Sequence, residues 1–301
     1  MNTFIKHLGR YLLYALCAWT AVMLLSLVIV KLSNTRYIYA SNNKPVNQTD
    51  ILIFGNSRAE SAINDKLLPA KFHNVARSGE ALFYSTIKAR SILEKYKNDT
   101  VVIEFTNNSL STIKWVLDDD RLYTEYQRCF TKMQIHEHFF VLSNKPGKAG
   151  KAMLAMSPLR IWKTHRFIDG GYKKLMRNNL TNPDTSDNAA TTAKNQSSYD
   201  PATELANFEA LLNLIQRFPN THFILTRTPL HHTYKLRNEI IFQQRAHQLN
   251  QLPNCTFIDF HRSIEPLPDS CFADIGHLNH TGASIYTPVF LEQIRKPKSS
   301  N

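Results

Sequence analysis

The chain has 301 residues, enough for one large domain or two small ones. Its 36 lysines and arginines outnumber 24 acidic residues and give a formal charge of +12, but they are spread along the chain without a run of five or more. This distribution excludes a basic nucleic-acid-binding tail, and we expect no nucleic-acid partner. A basic protein remains compatible with anionic glycans or a membrane surface as partners.

The first predicted element is a membrane-spanning helix. Tyr11–Val30 is a run of 20 residues without a formal charge, the length that spans a bilayer as a helix. Lys6 and Arg10 precede it and predict a cytoplasmic amino terminus, with residues 31–301 periplasmic or otherwise extracytoplasmic. The run is longer than a usual signal-peptide core. We predict that residues 1–32 form a cytoplasmic stub and an uncleaved signal anchor; the alternative is a cleaved signal peptide.

Residues 33–50 are polar and predict a linker to the first strand, the apolar run Ile51–Phe54. The strand continues into Gly55-Asn56-Ser57-Arg58 and a helix-compatible stretch. Such a strand–turn–helix unit places reactive groups at the carboxyl edge of an α/β sheet, where the start of the helix favours negative charge. Ser57 is therefore a candidate nucleophile. In the structural alternative, Ser57 caps the helix and forms a capping box with Glu60.

Strands and helices alternate along the rest of the chain. Further strands are predicted at Phe72–Ala76, Thr100–Phe105, His222–Thr226 and Thr256–Phe260, and helices at Leu82–Tyr96, Pro201–Phe218, Asn238–Leu252 and Thr281–Ile294. This alternation predicts a three-layer α/β domain over residues 51–296, with a parallel sheet of about five strands. The pattern is interrupted at about residues 110–200. We predict an insertion there, at the functional edge of the sheet, with helices around Thr124–His138 and Pro158–Thr164 and a flexible loop at Asn178–Asp200.

A second candidate group lies near the carboxyl end. Asp274 and His277 are three residues apart, so both side chains can face one way from a turn or a single helical turn. Acyl transfer by a serine requires a base that takes the hydroxyl proton and a group that orients the base. His277 and Asp274 would supply these two functions. The alternative is that Asp274 caps a turn and His277 is a surface histidine.

Together these segments resemble the SGNH (GDSL-type) hydrolase superfamily, which has a flavodoxin-like α/β fold. Gly55-Asn56-Ser57 matches the family's Gly-Asp-Ser or Gly-Asn-Ser turn after the first strand, and Asp274 and His277 match its Asp-x-x-His block. The matching blocks cover about residues 51–294. The resemblance implies that Ser57 is the nucleophile, His277 the base and Asp274 the residue that orients it.

The resemblance also implies an oxyanion hole. The family's second block supplies a glycine N–H after the second strand, and Gly79 occupies that place. Its third block, Gly-x-Asn-Asp, supplies an asparagine amide. Here the corresponding segment is Thr106-Asn107-Asn108-Ser109, with threonine and serine in place of the family's glycine and aspartate. The implied donors are the N–H groups of Ser57 and Gly79 and the side chain of Asn108, with Asn107 as the alternate.

Within this superfamily the chain is most similar to the membrane-anchored bacterial GNSR-type proteins, which often accompany cell-surface polysaccharide assembly. The resemblance implies O-acyl ester hydrolysis or transfer on a cell-envelope glycan, so the expected substrate is an acylated glycan or another ester. Such chemistry needs no metal or organic cofactor. The alternative is a non-catalytic scaffold or glycan-binding subunit of an envelope assembly. Arg58 could bind an anionic substrate, or it is a solvated or salt-bridged surface residue.

Two other residue pairs give weaker signals. His231-His232 follow a predicted strand without a third ligand, and no Cys/His spacing indicates a metal site, so we predict none. Cys255 and Cys271 are the only nearby pair among the cysteines outside the predicted span, and the sequence leaves a disulfide between them open.

Overall fold

The computed structural model describes residues 2–33, 35–40, 42–111, 121–176, 180, 201–236 and 238–296. The expected loop at Asn178–Asp200 lies, apart from Leu180, outside these residues. The helices are α1 (Asn2–Leu32), α2 (Ser57–Ala62), α3 (Leu82–Tyr96), α4 (Asn107–Ser111), α5 (Arg121–Cys129), α6 (Ile135–Asn144), α7 (Pro146–Leu154), α8 (Pro158–Arg166), α9 (Pro201–Arg217), α10 (Glu239–Asn250), α11 (Phe260–Ser263) and α12 (His280–Ile294). The strands are β1 (Ile38–Tyr39), β2 (Ile51–Phe54), β3 (Phe72–Asn74), β4 (Thr100–Glu104), β5 (Phe167–Ile168), β6 (His222–Arg227), β7 (Cys255–Asp259), β8 (Phe272–Asp274) and β9 (His277–Leu278).

The amino-terminal element is a single long helix. Its stretch Phe4–Leu32 is long and apolar enough, by length and composition, to cross a membrane. Most of its large apolar side chains are exposed to the surroundings of the protein. The stretch Tyr11–Val30 contains no formally charged residue, so it lacks the charged face that a helix exposed to water usually has.

A five-stranded parallel sheet forms the centre of the molecule, in the order β3-β2-β4-β6-β7. The predicted mixed α/β class and the five-stranded parallel sheet are confirmed. Both faces of this sheet are covered by helices, which is why the strands have continuous apolar runs rather than alternating ones. All five strands run the same way, so their carboxyl ends meet at one edge.

The two faces of the sheet are buried in separate apolar clusters. On one face, Leu52, Val101 and Phe223 pack with α3, α9 and α10. On the other face, Ile53 and Val102 pack with α2, α11 and α12. The molecule is therefore layered as helices, sheet and helices.

The cysteines lie apart in these layers. Cys255 belongs to the first of the two clusters, and Cys271 belongs to the second, across the sheet. Both are buried and both are free thiols. The disulfide that the sequence left open is therefore not formed, because the sheet separates the two side chains.

Residues 121–176, the continuous described part of the insertion, contain four helices, α5–α8, around their own apolar cluster. Tyr126, Cys129, Val141 and Ile161 are buried there, and they meet residues of α1 and α3. The predicted helix at Thr124–His138 is wrong as a single element, because α5 ends at Cys129 and α6 begins at Ile135. Helix α7 was not predicted, and α8 confirms the helix expected around Pro158–Thr164.

A short parallel pair, β1–β5, joins the segment after α1 to the segment after α8. It was not predicted. Directly after β5, Gly170 has φ +157°, and a Cβ atom there would lie 2.4 Å from Cα of Val75. This close backbone approach requires glycine and seats the insertion on the end of β3.

Replacing Gly170 with alanine is expected to lower the free energy of unfolding by about 2–4 kcal/mol, because the new methyl group meets backbone atoms that cannot move aside. Denaturant titration of the full chain in detergent measures this change. Gly150→Ala is the matched control, since a Cβ atom at that position in α7 has nothing within 4 Å. The control is expected to be neutral or more stable by about 0.5–1 kcal/mol. Equal stability of the two variants would contradict the prediction.

Candidate active site

Ser57 lies at the carboxyl end of β2, as the first residue of α2. The helix cap is the preceding residue, Asn56, whose side chain accepts the N–H of Arg58 at 2.9 Å. Glu60 accepts a hydrogen bond from Ser78 instead of completing a capping box. The structural alternative for Ser57 is therefore wrong, because the asparagine of the turn performs the capping. The Ser57 hydroxyl is left to interact elsewhere.

Three side chains from opposite ends of the chain form a hydrogen-bonded series. Ser57 Oγ lies 2.7 Å from Nε2 of His277, and Nδ1 of His277 lies 2.8 Å from Oδ1 of Asp274. Asp274 and His277 face each other across the antiparallel pair β8–β9, joined by Ile275-Gly276. Gly276 also donates its N–H to Asp274 Oδ1 at 2.9 Å, which fixes the carboxylate. The Asp-x-x-His segment thus forms a hairpin rather than a helical turn.

The hydrogen bonds define the protonation that this arrangement favours. An ionised Asp274 only accepts, so Nδ1 of His277 carries the proton between them. Nε2 then has a free lone pair directed at the Ser57 hydroxyl. Both imidazole and carboxylate are partly open to solvent, with 28% and 32% of their side chains exposed. A substrate can therefore reach the series.

Glu104 lies directly under the turn Gly55-Asn56-Ser57, and it was not predicted from the sequence. Its Oε2 accepts the N–H of Asn56 at 3.1 Å, and the residue is 1% exposed. A Cβ atom on Gly55 would lie 2.6 Å from Cβ of Glu104, so only glycine lets the turn pass over this side chain. Burial raises the pKa of the Glu104 carboxyl, while the charge of Arg58 acts in the opposite direction. The sequence contained one signal for this residue: Glu104 is the single acidic residue at the end of an otherwise apolar strand, β4.

The predicted oxyanion glycine lies in the loop after β3. Gly79 has φ +79°, and the loop is held to the turn Gly55-Asn56-Ser57 by the bond from Arg77 N–H to the carbonyl of Gly55 at 2.9 Å. Ser78 bonds the carboxylate of Glu60 in α2. Lys173, beyond β5, donates its N–H to the Glu60 carbonyl at 2.9 Å. The loop and the end of the insertion therefore both pack against α2.

The third predicted block forms the start of α4. Thr106 and Ser109 bond each other reciprocally: Thr106 N–H donates to Ser109 Oγ at 2.8 Å, and Ser109 N–H donates to Thr106 Oγ1 at 3.2 Å. The two residues that depart from the family pattern thus build a helix cap. Asn108 is partly exposed in the first turn of this helix.

The alternate oxyanion residue, Asn107, belongs to an ion-pair network. Its amide donates to Glu239 at 2.8 Å and accepts from Arg227 at 3.2 Å. Arg227 is fully buried and also pairs with Asp259 at the end of β7. Asn107 therefore contributes to joining β4, β6 and β7 at the carboxyl edge, and its amide is engaged within the protein.

Arg58 is a buried residue rather than the surface residue that the sequence left open. It is 6% exposed, and its Nη2 donates to the hydroxyl of Tyr234 at 2.7 Å. The guanidinium carbon also lies 4.8 Å from the centre of the Tyr234 ring. The arginine is held beside the hairpin, with Nε 3.9 Å from a Cβ position on Gly276. A positive charge thus lies next to Ser57 in the chain.

Among the residues that the structure describes, one group of three could hold a metal: His231, His232 and Asp269. Nε2 of His231 lies 3.0 Å from Oδ1 of Asp269. Nδ1 of His231 lies 2.7 Å from Oγ1 of Thr233 and 3.3 Å from the backbone nitrogen of the same residue. Both ring nitrogens are therefore engaged in hydrogen bonds within the protein.

No family model and no curated protein matches the chain. Similar solved structures include a protein of Streptococcus pneumonia provisionally described as a platelet activating factor, with 11% identity over 98% of this chain and 99% of that one, at a TM-score of 0.40. A protein of Bacteroides fragilis provisionally described as an acylhydrolase has 11% identity over 85% of this chain and 89% of that one, at a TM-score of 0.42. A gut microbial diltiazem-metabolizing enzyme has 13% identity at a TM-score of 0.38. That match covers 83% of this chain and 47% of the enzyme. At such identities and TM-scores, these similarities do not identify a family or an activity.

Proposed function

We propose that the protein is a serine-dependent ester hydrolase or acyltransferase of the SGNH type. The observation that supports this best is the series from Ser57 through His277 to Asp274, with contacts of 2.7 and 2.8 Å. Both distances lie within the reach that proton transfer requires. The three residues come from segments 220 residues apart, so local chain geometry alone does not bring them together.

In the proposed reaction, His277 Nε2 removes the Ser57 proton as Oγ attacks the carbonyl carbon of an ester. Asp274 holds the imidazole in its required tautomer and stabilises the imidazolium that forms. The imidazolium then gives its proton to the departing alcohol, which leaves an acyl group on Ser57. Water or a second hydroxyl, deprotonated by His277, takes the acyl group in the second half and regenerates the serine.

The developing oxyanion needs donors that are already in place. We assign this role to the N–H groups of Ser57 and Gly79 and to the side chain of Asn108. The start of α2 supports the assignment for Ser57, because the first N–H groups of a helix lack partners within the helix. Removal of a single donor of this kind typically lowers kcat by about 10²–10³-fold.

We further propose the domain arrangement and location that the sequence suggested. Residues 1–32 form the stub and membrane anchor, 33–50 the linker, and 51–296 the SGNH-type domain with its insertion at about 110–200. The basic residues before the span support a cytoplasmic amino terminus, and with it a site on the other side of the membrane. The resemblance to envelope proteins makes an acylated cell-envelope glycan the proposed substrate.

Covalent labelling of the full chain in detergent tests the proposed function. A fluorophosphonate reacts with serines that an adjacent base activates, and we expect one adduct per chain, located on Ser57 by peptide mass spectrometry. His277→Ala is expected to leave the protein unlabelled. The same sample should release p-nitrophenol from p-nitrophenyl acetate. Folded protein that neither labels nor hydrolyses the ester would favour a scaffold or glycan-binding subunit instead.

A further inference from the structure

One face of the membrane helix packs against the insertion. Met23 and Val30 are 7% and 2% exposed, and Leu27 packs on the same cluster. Leu24 and Leu25, by contrast, are 58% and 60% exposed. The spacing of the buried residues marks a single stripe along α1. Helix α8 of the insertion contacts α1 directly.

This contact extends well below the outer end of the span. Met23 precedes Val30 by seven residues, which corresponds to about 10 Å along a helix axis. The hydrocarbon core of a bilayer is only about 30 Å thick. Since α1 is the proposed anchor, the part of the insertion that packs at the level of Met23 lies beside the outer portion of the bilayer rather than in water.

The helices of the insertion present large apolar side chains on their outer surface. Exposed fractions are 74% for Ile135, 66% for Phe139, 67% for Leu154, 83% for Leu159 and 40% for Trp162. Ile135 and Phe139 are four residues apart in α6, and Leu159 and Trp162 are three apart in α8, so each pair lies on one face of its helix. Apolar faces of this kind on consecutive helices are typical of a membrane or protein contact.

The charge of the same helices favours a membrane as the partner. Residues 135–166 contain six lysines and arginines but a single acidic residue, Glu137. That carboxylate is bonded to Arg90 and is turned inward, 7% exposed. Basic residues interspersed with leucine and tryptophan are typical of helices that lie at the surface of anionic bilayers.

We propose that the outer face of α6, α7 and α8 lies in the interfacial layer of the membrane, beside α1. We name this face the interfacial surface; it contains Ile135, Phe139, Leu154, Leu159 and Trp162. Its apolar side chains enter the acyl region, and its basic side chains contact anionic phospholipid headgroups. The inference rests on the proposed anchoring by α1 and goes beyond the proposed reaction. It places α6, α7 and α8 against lipid, so the protein is held at a fixed orientation to the bilayer.

Tryptophan quenching in vesicles tests the interfacial surface. The full chain with Trp19→Phe and Trp115→Phe retains Trp162 as its only tryptophan. It is reconstituted in phosphatidylcholine–phosphatidylglycerol vesicles with lipids brominated at shallow or deep acyl positions. We expect shallow bromine to reduce the Trp162 emission to about half or less, and more strongly than deep bromine, because interfacial helices lie about 5–10 Å into the bilayer.

Two further single-tryptophan chains are the controls. In the first, only Trp19 of α1 remains, and it should be quenched by brominated lipid. In the second, all three native tryptophans are phenylalanine and Ile240→Trp supplies the probe. Ile240 lies on α10 and is 76% exposed, so it matches the exposure of the interfacial surface while packing on the central sheet domain. This probe should respond to aqueous acrylamide and not to brominated lipid.

The outcomes separate this inference from the proposed function. If Trp162 behaves like the Ile240→Trp probe while Trp19 is quenched, the surface faces water or a protein partner, and the inference is overturned. If brominated lipid does not quench Trp19 either, α1 is not in the bilayer. Both the proposed anchoring and this inference are then overturned. Ester hydrolysis by the same vesicles is a separate readout. Its absence beside a quenched Trp162 would remove the proposed reaction but leave the interfacial surface intact.

Discussion

Ser57→Ala is expected to lower kcat/KM for p-nitrophenyl acetate by about 10³-fold or more. The methyl group cannot form the acyl intermediate, and the substitution removes the hydroxyl that lies 2.7 Å from His277 Nε2. The fold should be unaffected, because the helix cap belongs to Asn56 rather than to the serine. Initial rates of p-nitrophenol release, with the thermal unfolding midpoint of the same samples, measure both effects.

Ser61→Ala is the matched control for this substitution. Ser61 lies in the same helix, is 1% exposed, and bonds only the Arg58 carbonyl among the contacts that the structure describes, at 3.4 Å. We expect it to keep wild-type kcat/KM within about threefold. A folded Ser57→Ala protein that retained more than a tenth of the wild-type rate would show that another group performs the reaction.

Asp274→Asn is expected to lower kcat by about 10³–10⁴-fold with little change in KM. An amide has no negative charge to stabilise the imidazolium. Its NH₂ group can also donate to Nδ1, which moves the ring proton to Nε2 and prevents that atom from accepting the Ser57 proton. Oδ1 of Asp274 also accepts the N–H of Gly276, so an NH₂ group turned toward Nδ1 gives up that bond, and the pairing of β8 with β9 should hold the hairpin instead. Steady-state kinetics and the rate of fluorophosphonate labelling should fall in parallel.

Asp269→Asn provides a comparison within the same molecule. Asp269 also contacts a histidine, His231, at 3.0 Å, but that pair has no described contact with Ser57. It should leave kcat within about twofold of the wild-type value. Equal losses in the two variants would mean that carboxylates in this region act only on the structure, and the role given to Asp274 would be withdrawn.

The sheet could be predicted because each strand is a short apolar run followed by polar turn residues. Ile51–Phe54 and Thr100–Glu104 are buried on both faces, so hydrophobicity alone marks them. The pair β1–β5 could not be predicted in this way. Each of its strands has two residues, and the two lie about 130 residues apart in the chain, so no local pattern encodes their pairing.

The candidate site was only partly accessible from the sequence. Residue types and order indicated Ser57, Asp274 and His277 as a set, but not that Asn56 would cap α2. The buried position of Glu104 follows from strand β4 passing beneath the turn, a property of the assembled sheet. Asn107 was the alternate to Asn108 in the sequence prediction. The sequence did not show that Arg227, at the end of the neighbouring strand β6, donates a hydrogen bond to Asn107.

The parallel pair β1–β5 also constrains how the chain is made. Ile38 follows the anchor directly, but its partner Phe167 is synthesised about 130 residues later. At about 5–20 residues per second, α1 is synthesised on the order of ten seconds before the strand next to it can pair. β1 therefore lacks its β5 partner while about 130 further residues are made, a little under half of the chain. If α1 enters a membrane as proposed, closure of this pair joins the insertion to an anchor that is already in place.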